Sequence, residues 1–323
     1  MMLHRRQSLL FLCLTISALI TVSCRSPYGP PMRVIVPKGA TFRAAADSLH
    51  KAGLVGSAPM FRMYARFKGT DRNIKPGTYL IKRGTPWGEI VSALHGGHGL
   101  VNTITIPEGF TIAQITPVLT AALGVPIDSV NAAVRDTAML RMVGSPGPTL
   151  EGYLFPDTYA FPDGTKARAA VLEMVKRFQR EWKPDCVARL QALSLTKHQA
   201  VTLASIVERE AKVAAERPVI AAVYLNRLKK GMLLQADPTV QYARGKHTPR
   251  LLLKDLEVDS PYNTYKYAGL PPGPIASPGG ASLVAALNPA PVEYLYFVAA
   301  PDGHHEFRNT LTEHQQAVRA VRR

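Results

Sequence analysis

Cysteine is almost missing from this chain of 323 residues. Only Cys13, Cys24 and Cys186 occur, and the first two fall within the first 24 positions. Cys186 is then alone in the folded part, which excludes an internal disulfide and leaves an inert, partly buried thiol. Acidic residues are also few, 23 Asp and Glu against 39 Lys and Arg, giving a formal net charge of +16. That imbalance favours anionic partners: nucleic acid, a lipid surface or an acidic polymer. Gly-x-Ser-x-Gly, His-Glu-x-x-His, P-loop and dinucleotide fingerprints are all absent, and no Cys/His spacing suits a metal. Neither a metal nor an organic cofactor is expected. The apolar run Leu9 to Val22 falls short of the about 20 residues of a comfortable membrane span.

That run is nevertheless informative. His4, Arg5 and Arg6 precede it as a basic n-region, and Thr21-Val22-Ser23-Cys24 follows. The pattern fits residues 1–24 as an export leader with Cys24 as the lipidation candidate, or as a short uncleaved signal anchor. Both readings place the rest of the chain on the extracytoplasmic side of a bacterial inner membrane. Export argues against nucleic acid as partner.

The remainder is 46% hydrophobic, enough for a core, and long enough for two compact units. Ser26 to Pro31 is a Pro- and Gly-rich tether, so residues 25–32 are read as linker. Between 33 and 98 the expected order is a strand (Arg33 to Val36), a helix capped by Thr41, a helix from Pro59 to Phe67, a strand (Gly77 to Ile81) and a helix capped by Thr85. Met60, Phe61, Met63, Tyr64 and Phe67 repeat at helical spacing and read as a core stripe. Strand, helix, helix, strand is the arrangement of small LysM-like carbohydrate-binding modules.

The phrase Val36-Pro-Lys-Gly-Ala-Thr-Phe42 returns as Ile106-Pro-Glu-Gly-Phe-Thr-Ile112, a reused strand-to-helix junction. From about Thr165 helices dominate: Ala167 to Trp182, Thr196 to Ala211 and Ala215 to Lys230. Leu270 to Gly280 is too rich in Pro and Gly to be helix or central strand. Tyr294 to Ala299 and Glu306 to Arg308 suggest a hairpin, and a last helix begins at Thr310. The fold class is α+β, with a small subdomain over 33–98 and a mixed, helix-rich domain over 99–323.

Ser194-Leu-Thr-Lys197 matches a serine acyl-enzyme pattern, but its companion elements are missing and helix capping explains it. His304-His305 follows a turn and reads as solvated. Glu208 ends the uncharged helical stretch Ala200 to Val207 and shares a face with Ala204 and Val201. A carboxyl on an apolar face is desolvated, which favours its protonated form, as a general acid near neutrality requires. Periodicity leaves Glu210, rotated by about 200°, as its competitor. Glycosidases that add water need two carboxylates. A muramyl glycan carries its own nucleophile, the C6 hydroxyl, so one glutamate can serve as acid and then as base.

Leu150 to Phe161 (LEGYLFPDTYAF), Ala204 to Glu210 (ASIVERE), Asn226-Arg-Leu, Leu234 to Val240 (LQADPTV), Tyr262 to Tyr265 (YNTY) and Gly269 to Pro278 (GLPPGPIASP) together resemble the MltG/YceG-like endolytic murein transglycosylases. The likeness runs from about Arg33 onward. It implies a LysM-like subdomain before a catalytic domain, and non-hydrolytic cleavage of MurNAc–GlcNAc β-1,4 bonds in nascent peptidoglycan beside the synthases. The family's catalytic glutamate falls on Glu208. Beside that carry-over, Glu151, Asp157, Gln235, Asp237, Thr239, Asn263, Ser277 and Asn288 offer polar groups for sugar hydroxyls and amides. Tyr153, Tyr159, Tyr262 and Tyr265 offer faces for sugar rings. All of these also have structural readings as turn or core residues. The rivals are a non-catalytic glycan-binding protein, an inverting muramidase with Glu210 or Glu151 as base, and a basic adaptor.

Overall fold

In the computed structural model, which describes residues 27–321 apart from 98, 184, 247, 249 and 250, the chain divides into units of residues 1–102 and 103–323. The leader, Cys13 and Cys24 lie outside the described residues.

The first unit is built from β1 (Tyr28–Val36), α1 (Phe42–Lys51), α2 (Ala58–Phe67), β2 (Gly77–Arg83) and α3 (Trp87–Gly96), and β3 (Leu100–Thr105) leads out of it. Thr41 and Ser57 start α1 and α2 by accepting the amides of Ala44 and Met60, satisfying donors that a helix start leaves free. β1 runs antiparallel to β2, from Val36 opposite Gly77 back to Tyr28 opposite Arg83. The expected tether is therefore partly strand. Pro30 and Pro31 are tolerated because β1 is an edge strand with a register shift between Tyr28 and Met32. Thr85 does not cap α3. Its hydroxyl donates to the Lys82 carbonyl at 2.8 Å, closing the turn, and Pro86 takes the cap position.

Phe61 is the centre of this small core, stacked on Phe42 and edge-on to Trp87 at 5.6 Å from each ring centroid. Full burial of such a ring contributes roughly 2–3 kcal/mol. The expected stripe on α2 is only half right. Phe61 and Ala65 are buried, whereas Met60, Met63 and Phe67 face solvent. The face of α2 that meets Phe42 and Trp87 is covered, and the apolar stripe on its other side stays outside.

The second unit continues with α4 (Ile112–Leu123), α5 (Ile127–Ala133), α6 (Thr137–Val143), β4 (Thr158–Pro162), α7 (Ala167–Glu181), α8 (Cys186–Leu193), α9 (Lys197–Glu210), α10 (Arg217–Lys229), α11 (Asp237–Ala243), α12 (Gly280–Leu287), the hairpin β5 (Tyr296–Ala299) and β6 (His305–Arg308), and α13 (Leu311–Val321). Thr111 and Thr196 begin α4 and α9 through reciprocal capping boxes with Gln114 and Gln199. Asp237-Pro238 opens α11 rather than setting a turn, with the proline early in the helix, where its missing amide costs nothing.

Helix α9 is the axis of this unit, buried from Ala200 to Val207 and packed against α10 and α12. Ser194 ends α8 in a left-handed conformation, and Lys197 lies over the Phe178 and Trp182 rings at 5.2 and 5.1 Å, so Ser194 and Lys197 have structural roles. A close backbone approach occurs at Gly152, where φ is +82° and a Cβ would stand 2.4 Å from Pro274 Cβ. Gly152→Ala is therefore expected to destabilise the protein by about 3 kcal/mol, checked by urea unfolding.

Candidate active site

The Pro-rich segment between Leu270 and Gly279 is held to its surroundings at successive residues. His198 Nε2 meets the Pro272 carbonyl at 2.8 Å. The Ile275 amide donates to Ser205 Oγ on α9 at 3.0 Å. The Ser277 amide donates to the Phe110 carbonyl at 2.8 Å, and the Gly109 amide donates to the Ser277 carbonyl at 2.9 Å. The Gly279 amide then donates to Glu208 Oε2 at 3.0 Å. Prolines restrict the unfolded segment, and these bonds fix what freedom is left. The segment thus joins the end of α9 to the junction before α4.

Glu208 stands in that join with its side chain only 7% exposed. Its setting is not purely apolar, as periodicity suggested. Arg217, at the start of α10, places a guanidinium nitrogen 3.5 Å from Glu208 Oε1 while its Nε donates to Ser282 Oγ at 3.1 Å. A second carboxyl shares the niche. Glu108 lies over Gly279 so closely that a Cβ there would sit 1.9 Å from Glu108 Oε1. Burial raises the Glu108 pKa most, the Glu208 charge raises it further, and Arg217 opposes both. Gly109, with φ +75°, lets Arg209 and Glu208 approach the junction, and Arg209 donates to the Gly109 carbonyl at 3.3 Å.

Glu108 is the residue that reading the sequence missed. The signal lay in the repeated junction: Val36-Pro-Lys38-Gly has a lysine where Ile106-Pro-Glu108-Gly has a carboxylate. The backbone reason for the phrase is the same in both places, and the side-chain difference marks the one beside Glu208.

Glu210 faces elsewhere. Burial pushes its pKa up to about 7, although Tyr224, whose hydroxyl donates to it at 2.8 Å, pulls it down. It lines a cavity of about 280 Å³ with Tyr224, Arg227, Asp237, Tyr265 and His305. Gln235, Asp237 and Tyr265 therefore gather around Glu210, with the Tyr265 hydroxyl donating to Asp237 at 2.6 Å. His305 is buried rather than solvated, its Nδ1 2.7 Å from Glu216 Oε2, while His304 is exposed.

Other expected sugar contacts have different duties. Tyr153 is fully buried, its hydroxyl 2.8 Å from His198 Nδ1, and Tyr159 is buried with its hydroxyl on the Phe155 carbonyl. Neither offers a free face to a sugar. Thr239 and Asn263 are likewise buried and tie backbone segments together. Asp157 pairs with Arg177 at 2.6 Å. Asn288 ends α12 with its amide on the Val284 carbonyl. Ser277 is buried beside the niche in sequence, and its hydroxyl has no partner among the described residues. Tyr262 packs on Tyr242 at 4.9 Å between ring centroids. Glu151 accepts the amide of Ile112 at the start of α4, 3.1 Å from each oxygen, and the Tyr242 hydroxyl at 3.4 Å. Glu151 therefore caps a helix. No cluster of metal-ligating side chains occurs among the described residues.

The YceG-like family model matches residues 34–320. The chain belongs to the YceG-like family. It is 36% identical over 301 residues to the endolytic murein transglycosylase of Bacillus subtilis, covering 88% of this chain and 83% of that one. The Streptococcus pneumoniae serotype 2 protein of the same name is 30% identical over 316 residues, and the match spans 57% of its length. The crystal structure of a YceG-like protein from Listeria monocytogenes superposes with a TM-score of 0.64 at 34% identity, covering 88% of this chain and 98% of that one.

Within this YceG-like chain, Glu151 generates a pH test. Burial is the largest influence on its pKa and raises it from 4.5 to about 7, against its three hydrogen bonds. A carboxyl whose folded-state pKa lies above the unfolded value loses stability as pH rises through that interval. Wild type should therefore lose stability relative to Glu151→Gln between pH 4.5 and about 7, with the difference flat above. Urea midpoints of both proteins at acid and alkaline pH check this, and Glu210 cancels because both proteins keep it.

Proposed function

We propose that the chain is an endolytic murein transglycosylase that breaks the MurNAc–GlcNAc β-1,4 bond of peptidoglycan and leaves a 1,6-anhydroMurNAc end. The observation carrying this reading is the niche itself: a nearly buried Glu208, faced by Arg217, Glu108 and the Gly279 amide. Family membership and the names of the relatives support it.

In the proposed reaction Glu208 gives its proton to the glycosidic oxygen as the C1–O bond breaks. The C6 hydroxyl of the same MurNAc then closes on C1, and Glu208 takes that hydroxyl's proton. Two bonds exchange, the proton count is restored and no water is consumed. The two carboxyls share one niche, so the Glu208 charge adds to burial in raising the Glu108 pKa, and Arg217 opposes both. Glu108 is here a positioning group, acting through Glu208.

The small first unit is read as LysM-like, from its order of strand, two helices and strand. The leader is read as the anchor to the inner membrane, with both units on the extracytoplasmic side, where nascent strands and their synthases lie. Termination of strand growth is the corresponding role.

Glu208→Gln should lower anhydro product about 10³-fold, within the range of general acid–base groups, while binding of glycan is kept. Mass spectrometry of products from un-crosslinked glycan checks this. A hydrated reducing end from wild type would instead establish a muramidase. Glu108→Gln keeps the shape over Gly279, and is expected to lower kcat about tenfold with little change in KM and to move the pH–rate profile. A purely structural Glu108 would leave the profile in place.

A further inference from the structure

Residues 27–102 carry eleven Lys or Arg against three Asp or Glu, a net +8, so half of the chain's +16 sits in less than a third of its length. The same unit exposes three large apolar side chains on α2: Met60 at 56%, Met63 at 68% and Phe67 at 87%. On a helix these fall within about 60° of one another, opposite the face that buries Phe61 and Ala65. Beside them is a hollow of about 540 Å³ lined by Arg43, Arg62, Arg66, Met63, Pro59 and Asp71 among others. Arg62 reaches Asp47 at 3.2 Å and Arg66 reaches Asp71 at 3.7 Å. Arg43 has no acidic partner among the described residues.

We infer that this face of α2, with the arginine-lined hollow beside it, docks on an anionic phospholipid surface: Met60, Met63 and Phe67 enter the headgroup boundary and Arg43 and Arg66 meet lipid phosphates. A glycan site would need free amides or carboxylates beside its aromatic ring; the exposed stripe itself carries none, and the nearby Asp47 and Asp71 are engaged by Arg62 and Arg66. Exposed apolar side chains flanked by guanidinium groups instead match the two zones of a bilayer interface. Arginine also suits phosphate, since its planar fork can donate two bonds at once. The length of chain agrees. Six residues take the chain from Val22, the end of the apolar run, to Tyr28 at the start of β1, at most about 20 Å when extended. The inference rests on the membrane-side placement proposed above and not on the cleavage chemistry.

The full chain mixed with vesicles of phosphatidylcholine alone, or with about one-third phosphatidylglycerol, gives the test by flotation and hydrogen exchange. Amides of residues 58–67 should exchange about tenfold more slowly on the anionic vesicles, with residues 197–210 as an unchanged internal reference. Met63→Glu combined with Phe67→Glu, both at exposed positions, should abolish the slowing, and Arg43→Glu should weaken it. Equal exchange on both vesicles overturns the inference, as does a chain that floats with neither. Slowing that appears only on adding peptidoglycan assigns the face to glycan and overturns it too. Since exchange is the readout, Glu208→Gln protein must behave as wild type, which keeps this result separate from the fate of the enzymatic reading.

Discussion

The bond from the Gly279 amide to Glu208 is the constraint around which the larger unit is arranged. It requires a rigid strip of chain beside the last turn of α9, delivered there without a side chain. The Ser205 hydroxyl, turned out of a buried helix face, fixes one part of that strip, and the paired backbone bonds of Gly109 and Phe110 to Ser277 fix another. Ser205 also donates to the Thr202 carbonyl inside its own helix, so the hydroxyl both donates and accepts. A small polar residue in an apolar helix is costly unless satisfied, and here it is satisfied by the loop that shapes the niche.

Glycine carries the second half of the arrangement. At Gly279 the missing Cβ leaves room for the Glu108 carboxyl, and at Gly152 it leaves room for Pro274. Both are close approaches of backbone to a rigid or charged neighbour, and both bear on the same Pro-rich strip. Two carboxyls can share the niche because Arg217 is held in place from the other side by Ser282. Charge, packing and backbone freedom are thus solved together within one short stretch of chain.

Much of this was legible in the sequence wherever the cause is local. Thr41, Thr111 and Thr196 begin helices as expected, each hydroxyl accepting the amide three residues on, whereas Thr85 turns its hydroxyl to the Lys82 carbonyl instead. Glu208 stood out as the acid that ends an uncharged helical run, and the structure places it nearly buried beside Arg217. The short helices α5, α6, α8 and α11 were not, since seven or eight residues carry too little periodicity. Tyr153 and Tyr159 could not be told from sugar platforms, because whether a ring is covered depends on chain far away in sequence. Glu151 looked like a ligand group and is a cap supplied from 39 residues beyond Ile112. Glu108 was hidden by its own motif, whose glycine and threonine already had a backbone explanation. Met60, Met63 and Phe67 failed as core because periodicity counts apolar faces without knowing how many neighbours exist.

Arg227 extends the design to the end of the chain. It is buried on α10, and its donors go to the carbonyls of Leu234 at 2.8 Å and Leu295 at 2.6 Å, while its neighbour Asn226 donates to Val292 and Tyr294. The segment leading into β5 is therefore the acceptor for a largely buried cation. A chain ended before Val292 would strand that cation and the amide next to it without partners, inside the helix whose first turn holds Arg217. The C-terminal hairpin, remote in sequence from every carboxyl discussed, is in this sense part of the foundation under Glu208.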